Sequence, residues 1–126
     1  MTKAKILIVE DEILSGMDLQ LIFRCWGCAP PSIATTGREA IEKADKEKPD
    51  VILMDISIDG NMDGIEVAKK IRSKYEIPII FMTGYSDEEM IERAKTANPA
   101  AILIKPVDNA ELKAAVESAV KTLRAP

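Results

Sequence analysis

Four short apolar segments, each ending in polar residues, constrain the fold of this chain more than any other feature. The most apolar of them, residues 51–54, runs directly into Asp55 and follows the turn-forming residues 48–50. A short apolar run bounded by turn signals is typical of a strand buried on both faces of a sheet. We therefore predict a central strand with Asp55 at its carboxyl end.

Three further apolar runs have the same form. Residues 6–9 precede Glu10 and Asp11, residues 79–82 precede Thr83 and Gly84, and residues 101–104 precede Lys105 and Pro106. The segments between these runs carry apolar residues three or four positions apart, which predicts helices. Strands that alternate with helices through short loops indicate a parallel sheet with helices on both faces. We expect one α/β domain over residues 1–126.

The first helix and the strand after it have distinctive boundaries. We predict that the helix begins at Asp11 or Glu12 and ends at Gly27 and the two following prolines. The residues expected to face the core are spaced by three or four: Leu14, Met17, Leu21 and Cys25. Prolines next to residues 32–36 indicate that this weaker strand lies at a sheet edge.

The polar residues that follow the strands are expected to converge. In a parallel sheet the carboxyl ends of the strands meet at one edge, where ligands bind. Glu10, Asp11 and Asp55 would lie there together with Thr83 and Lys105. A cluster of carboxylates binds a hard divalent cation such as Mg²⁺. A carboxylate in such a place is also able to act as a nucleophile toward phosphorus.

Composition and charge exclude several classes of function. The chain has 126 residues, 47% of them hydrophobic, and a formal net charge of −4. An acidic chain lacks the basic face that general nucleic-acid binding requires, so we expect no direct nucleic-acid partner. No apolar run approaches the roughly 20 residues that span a bilayer. The N-terminus has the pattern of a strand rather than of a signal peptide, which predicts a cytoplasmic protein without a membrane partner.

The pair Cys25 and Cys28 has two interpretations. A C-x-x-C sequence near a βαβ pattern can be a redox motif. Here it falls at the end of a predicted helix, where no helix N-terminus lowers a thiol pKa. The chain contains no histidine to complete a zinc site. A structural helix end with Gly27 as its cap is therefore favoured over a redox role.

These polar groups and the strands that carry them resemble the receiver domain of two-component response regulators. The resemblance spans residues 4–124 and rests on five motifs in order: Val9-Glu10-Asp11-Glu12, Leu53-Met54-Asp55, Met62-Asp63-Gly64-Ile65-Glu66, Met82-Thr83-Gly84 and Leu103-Ile104-Lys105-Pro106. It implies a flavodoxin-like (βα)5 fold with strand order 2-1-3-4-5. It also implies a protein of phosphorelay signalling, not an enzyme beyond catalysis of its own phosphorylation and dephosphorylation.

The resemblance assigns roles at the phosphorylation site. Asp55 matches the aspartate that accepts a phosphoryl group from a phosphohistidine of a histidine kinase or a histidine phosphotransfer protein. Thr83 matches the hydroxyl that hydrogen-bonds the phosphoryl group, and Lys105 matches the lysine that pairs with it. Phosphoryl transfer of this kind depends on position and charge. The resemblance further suggests a cis peptide bond between Lys105 and Pro106.

The same resemblance implies a metal site for Mg²⁺ or Mn²⁺. Asp11 and Asp55 match direct ligands, and the backbone carbonyl of Ser57 matches the third protein ligand. Glu10 stands where the family has a further acid that holds the metal through water.

Two departures from the family pattern concern the loop near the metal and the signal output. Seven residues, one more than the family's commonest number, separate Asp55 from Asp63, and Ile102 replaces the aromatic residue of many receivers. Isoleucine is branched at Cβ and restricted at χ1. We therefore expect the switch to involve Gly84 and Tyr85 more than Ile102, and to act on the face formed by the fourth helix, fifth strand and fifth helix. A partner, or a second copy in a homodimer, would dock there.

Three alternative functions match the residues less well. Phosphatases with an aspartate nucleophile use D-x-D, whereas Ser57 stands two residues after Asp55. A flavodoxin needs a Ser-, Thr- and Gly-rich phosphate loop after the first strand, and residues 10–12 are all acidic. A pseudo-receiver scaffold would not need the acids together with Thr83 and Lys105.

Overall fold

The computed structural model describes residues 4–58, 62–84 and 88–124, in which five parallel strands alternate with five helices. The strands are β1 (Ile6–Val9), β2 (Ser32–Ala34), β3 (Val51–Asp55), β4 (Ile79–Thr83) and β5 (Ala101–Ile104). The helices are α1 (Ile13–Cys25), α2 (Gly37–Glu47), α3 (Gly64–Arg72), α4 (Glu88–Lys95) and α5 (Asn109–Arg124). None of the helices within these ranges is long and apolar enough to cross a membrane.

The sheet has the order β2-β1-β3-β4-β5 with every pair parallel. This confirms the predicted flavodoxin-like topology and the edge position of β2. The chain order reverses between β1 and β3, and ligands of open α/β sheets bind at the carboxyl ends of the strands at such a point. The carboxyl ends of β1 and β3 carry Glu10 and Asp55.

The buried strands separate two apolar layers, because alternate residues of a strand point to opposite faces. One layer joins Ile52, Met54 and Phe81 to helices α2, α3 and α4. The other joins Leu53 and Ile80 to helices α1 and α5. The buried faces of the other four helices lie in these layers: Ala40 and Ala44 in α2, Ile65, Ala68 and Ile71 in α3, Ala94 in α4, Leu112, Val116 and Ala119 in α5.

The predicted inner face of α1 is wrong. Leu14 is 74% exposed, and Met17, Leu21 and Cys25 are exposed as well. Phe23 is buried instead, with its ring 5.1 Å from that of Trp26 in an edge-on arrangement. Gly16 lies on the same side, where an added Cβ would come within 3.1 Å of a side-chain carbon of Ile33. The buried residues of α1 have the spacing of one helical face, and so do the exposed apolar residues. Spacing alone therefore does not tell which face is buried.

The end of α1 has the glycine turn that the structural interpretation of the cysteine pair predicts. Gly27 has φ 83°, a left-handed conformation that favours glycine, and its N–H donates to the carbonyl of Arg24 at 3.0 Å. Cys25 is the last residue of the helix, whereas Cys28 is buried. Burial raises the pKa of the Cys28 thiol and so reduces its thiolate fraction.

Candidate functional site

Adjacent parallel strands bring the predicted carboxylates together. Val9 of β1 pairs with Met54 of β3, so the residues that follow them, Glu10 and Asp55, emerge side by side. Both are buried, and Asp11 is half-buried. Ligand oxygens of Glu10, Asp11 and Asp55 lie within 4.8 Å of one another. The structure therefore assembles the carboxylate cluster expected at this edge.

Lys105 closes the cluster from the end of β5. Its Nζ lies 2.8 Å from Oδ2 of Asp55 and 3.5 Å from Oε2 of Glu10. Its backbone N–H donates to the carbonyl of Thr83 at 2.8 Å, and the bond to Pro106 is cis, as predicted. Partial burial alone would lower the pKa of Lys105. The hydrogen bond and charge of Asp55, with the charge of Glu10, outweigh that effect and raise the pKa.

Two further residues border Asp55 on neighbouring segments. Thr83 is buried at the end of β4, where the preceding residue, Met82, is in register with Asp55. The backbone N–H of Ser57 donates to Oδ1 of Asp55 at 3.1 Å. One carboxylate oxygen of Asp55 is therefore held by this turn and the other by Lys105, so both are oriented.

Glu10 experiences the strongest electrostatic effect in the cluster. Burial, followed by the negative charge of Asp55, raises the pKa of Glu10 from 4.5 to about 7. The N–H of Glu12, 3.2 Å from Oε1, and the ammonium of Lys105 only partly oppose this increase. Three carboxylates against one ammonium leave a surplus of negative charge that a bound cation would neutralise.

The donor set fits a hard divalent cation. The cluster consists entirely of carboxylate oxygens, which Mg²⁺ and Mn²⁺ prefer to nitrogen or sulfur ligands. The raised pKa of Glu10 shows that the cluster is electrostatically unfavourable when fully ionised. A cation would remove that cost.

Gly64 belongs to one of the five sequence motifs. The structure gives a steric reason for a glycine at this position. Its N–H donates to the carbonyl of Ile56 at 2.8 Å. A Cβ added at Gly64 would overlap the carbonyl oxygen of Asp55 and lie 2.8 Å from Cα of Ile56. The first residue of α3 therefore packs directly on the backbone of Asp55.

Sequence reasoning missed an ion pair beside this contact. Nη2 of Arg93, in α4, lies 2.8 Å from Oδ2 of Asp63, which precedes Gly64. The two residues are 30 positions apart. No local spacing rule for helices or strands reaches across such a separation.

The predicted switch residues lie on different segments. Gly84 is exposed, and nothing lies within 4 Å of a Cβ added there. Ile102 is half-buried and packs against the layer of α2, α3 and α4. Tyr85 lies outside the described residues.

The raised pKa of Glu10 predicts how stability depends on pH in the presence of a chelator. Between about pH 5 and 7 the folded protein retains the proton that the unfolded chain releases, so the free energy of unfolding falls as the pH rises. The fall that Glu10 contributes is about 3 kcal/mol. Denaturant unfolding from pH 5 to 8 should show that Glu10→Gln loses this dependence. The exposed control Glu42→Gln should retain it, and equal slopes in wild type and Glu10→Gln would contradict the assignment.

Comparison with known proteins agrees with this geometry. A family model described as response regulator receiver domain matches residues 6–117. The transcriptional regulatory protein PdtaR of Mycobacterium tuberculosis is 39% identical over 95% of this chain, which spans 58% of that protein's length. Sporulation initiation phosphotransferase F of Bacillus subtilis is 36% identical over 93% of this chain and 94% of its own length.

Solved structures give the same result. The signal receiver domain of a modulated diguanylate cyclase from Desulfovibrio desulfuricans superimposes with a TM-score of 0.87, at 34% identity over 94% of each chain. A two-component response regulator from Clostridium difficile gives 0.88, at 28% identity over 99% of this chain and 100% of the other. The chain belongs to the response regulator receiver domain family of two-component signalling systems.

Proposed function

We propose that Asp55 accepts the phosphoryl group in this receiver domain, from a phosphohistidine of a histidine kinase or a histidine phosphotransfer protein. The observation that carries the proposal is the buried carboxylate of Asp55, which lies 2.8 Å from Lys105 and within 4.8 Å of the oxygens of Glu10 and Asp11. Receiver-family membership agrees with it.

The transfer is a displacement at phosphorus. An oxygen of Asp55 forms the new P–O bond while the P–N bond to the donor imidazole breaks, and the leaving imidazole keeps the bonding electron pair. Ser57 N–H and Lys105 hold the carboxylate of Asp55 before the reaction. Lys105 and the hydroxyl of Thr83 then stabilise the phosphoryl oxygens, where negative charge develops. When bound, Mg²⁺ would neutralise part of the same charge.

The metal proposal names four groups of this chain. The carboxylates of Asp11 and Asp55 and the backbone carbonyl of Ser57 would hold Mg²⁺ or Mn²⁺ directly, and Glu10 through a water molecule. Support comes from the all-oxygen cluster and from the raised pKa of Glu10. The alternative, a scaffold that is never phosphorylated, gives no reason for a buried carboxylate cluster with a lysine directed into it.

The exposed face of α1 is proposed as the surface that receives the donor. Helix α1 begins two residues after Asp11, so its apolar face starts at the mouth of the cleft. Ile13, Leu14, Met17 and Leu21 are all exposed on it. Contiguous exposed apolar surface marks an interaction site. A protein that delivers a phosphohistidine to Asp55 would have to cover this region.

Signal output is proposed on the opposite side of the cleft. Phosphorylation would draw Thr83 toward Asp55 and shift the segment that begins at Gly84, altering the face of α4, β5 and α5. A groove of about 530 Å³ on that face is lined by Ile91, Lys95, Ile102 and Ile104 among others. A partner or a second copy of the chain would dock there. Residues 1–126 would act as one cytoplasmic receiver domain that does not itself contact nucleic acid and catalyses only its own phosphorylation and dephosphorylation.

The phosphoacceptor assignment predicts a complete loss of labelling in Asp55→Asn. Wild-type chain treated with acetyl phosphate and Mg²⁺ should gain one phosphoryl group, detected by intact-mass spectrometry. Asn has the size of Asp but is a far weaker nucleophile, so the variant should gain none while it remains folded. Asp18→Asn, an exposed acid on α1, should label like wild type. A labelled Asp55→Asn protein would refute the assignment.

The metal assignment predicts that Mg²⁺ stabilises the fold. A cation that binds the folded chain and not the unfolded one raises the melting temperature as its concentration rises. Millimolar Mg²⁺ should raise the melting temperature of the wild type, and Asp11→Ala should abolish the increase. Asp18→Ala serves as the control with an intact cluster. A wild-type melting curve that does not respond to Mg²⁺ would contradict the site.

The docking proposal predicts that variants of the exposed face of α1 slow phosphotransfer from a protein donor but not from acetyl phosphate. Leu14→Ser and Met17→Ser remove exposed apolar surface, so the free energy of unfolding should change by no more than about 0.5 kcal/mol. Phosphotransfer from a histidine phosphotransfer domain that labels the wild type should slow at least about tenfold. Labelling by acetyl phosphate should remain unchanged. Equal rates of phosphotransfer from the protein donor to the wild type and to the variants would contradict the proposal.

A further inference from the structure

We propose that the Asp63–Arg93 ion pair couples helix α4 to the phosphoacceptor through the N-terminus of α3. The inference rests on the proposed function, because it assigns Asp55 as the residue that is phosphorylated. The coupling has three links: the contact between Asp55 and Gly64, the cap of α3 at Asp63, and the ion pair from Asp63 to Arg93.

The first link is the backbone contact beneath the site. Gly64 donates to the carbonyl of Ile56, and its Cα lies so close to Asp55 that a side chain there would overlap the Asp55 carbonyl oxygen. Closely packed backbone transmits displacement because it has no free volume to absorb it. A shift of residues 55–57 therefore moves the start of α3.

The second link fixes Asp63 to α3. Its Oδ1 accepts from the N–H of Glu66 at 3.0 Å, and Oε1 of Glu66 accepts from the N–H of Asp63 at 3.5 Å, which completes a capping box. Burial alone would raise the pKa of Asp63. The hydrogen bonds from Glu66 and Arg93 outweigh burial and lower it, so Asp63 remains ionised.

The third link reaches α4. Arg93 donates to Oδ2 of Asp63 at 2.8 Å, so one oxygen of Asp63 caps α3 and the other holds α4. Among residues 88–95, Ala94 is the single buried side chain, with Met90 packed partly against the core. A helix with so little buried apolar surface shifts at low free-energy cost. With so few apolar contacts, the partly exposed Asp63–Arg93 bond contributes a larger share of what holds α4 in position than it would in a well-buried helix.

The three links make α4 and the site mutually dependent. Mg²⁺ held by Asp55 and Ser57 would act on the backbone against which Gly64 packs, and by linkage the position of α4 would alter Mg²⁺ affinity to the same extent. The lifetime of the acyl phosphate would depend on the same position. This route runs through α3 and does not pass through Ile102.

The test compares four variants in the full chain. Asp63→Asn retains a side chain able to cap α3 but removes the charge. Arg93→Gln removes the other charge, and Arg93→Lys retains it. The double variant, which combines Asp63→Asn with Arg93→Gln, removes both charges. Arg38→Gln, which breaks the exposed Arg38–Glu42 pair of α2, is the matched control. The readouts are the Mg²⁺ dissociation constant, the lifetime of the phosphorylated chain and the melting temperature.

Coupling predicts a specific pattern. Each charge-removing variant should change the Mg²⁺ dissociation constant by about threefold, and the double variant by no more than either single one. Arg93→Lys should restore at least part of the wild-type value, and Arg38→Gln should leave it unchanged. In wild type, Mg²⁺ should also shift the backbone amide resonances of α4, and Arg93→Gln should reduce those shifts.

Two outcomes would overturn the coupling. A lower melting temperature with unchanged Mg²⁺ affinity and phosphoryl lifetime would mean that the pair only stabilises the fold. Additive effects in the double variant would mean that the two charges act separately. If the wild type binds Mg²⁺ but is not phosphorylated, the proposed function fails, whereas the metal titration still tests the coupling.

Discussion

The ion pair between Asp55 and Lys105 is the interaction on which the site depends. Glu10 and Asp55 are buried beside each other, and Asp11 adds a third carboxylate. Without a nearby cation such a cluster would be strongly unfavourable, because burial and like charge both oppose ionisation. Lys105, 2.8 Å from Asp55, supplies one positive charge. That charge offsets part of the repulsion; burial, followed by the remaining repulsion from Asp55, raises the pKa of Glu10.

The sheet imposes this proximity, because the register of its strands leaves the polar residues no other position. Asp55 is in register with Met82, and Thr83 with Ile104. The next residues along β4 and β5, Thr83 and Lys105, therefore lie at the same edge as Asp55. A slip of one residue in any strand would turn its apolar residues out of their layers. The packing that stabilises the fold thus also fixes the site.

Because strand packing also fixes the site, the sequence patterns that predict the strands also predict most of the site. Strand order and the convergence of Glu10, Asp55 and Lys105 follow from apolar runs that end in polar residues, together with the family resemblance. The inner face of α1 did not follow, since Leu14 and Phe23 lie on two stripes that both have helical spacing. The ion pair between Asp63 and Arg93 joins residues 30 positions apart, and sequence spacing does not predict such a contact.

The energetically unfavourable features of the structure coincide with the parts for which a function is proposed. The carboxylate cluster is unfavourable until its charge is balanced, α1 leaves Leu14 in solvent, and α4 buries little beyond Ala94. Replacing each feature with a more stable one would remove the proposed acceptor, the proposed docking face or the loosely packed helix α4. Binding that neutralises the cluster releases electrostatic free energy at the site. In the proposed coupling, the packing of Gly64 on Asp55 makes part of that free energy available to move α3 and, through Asp63, α4.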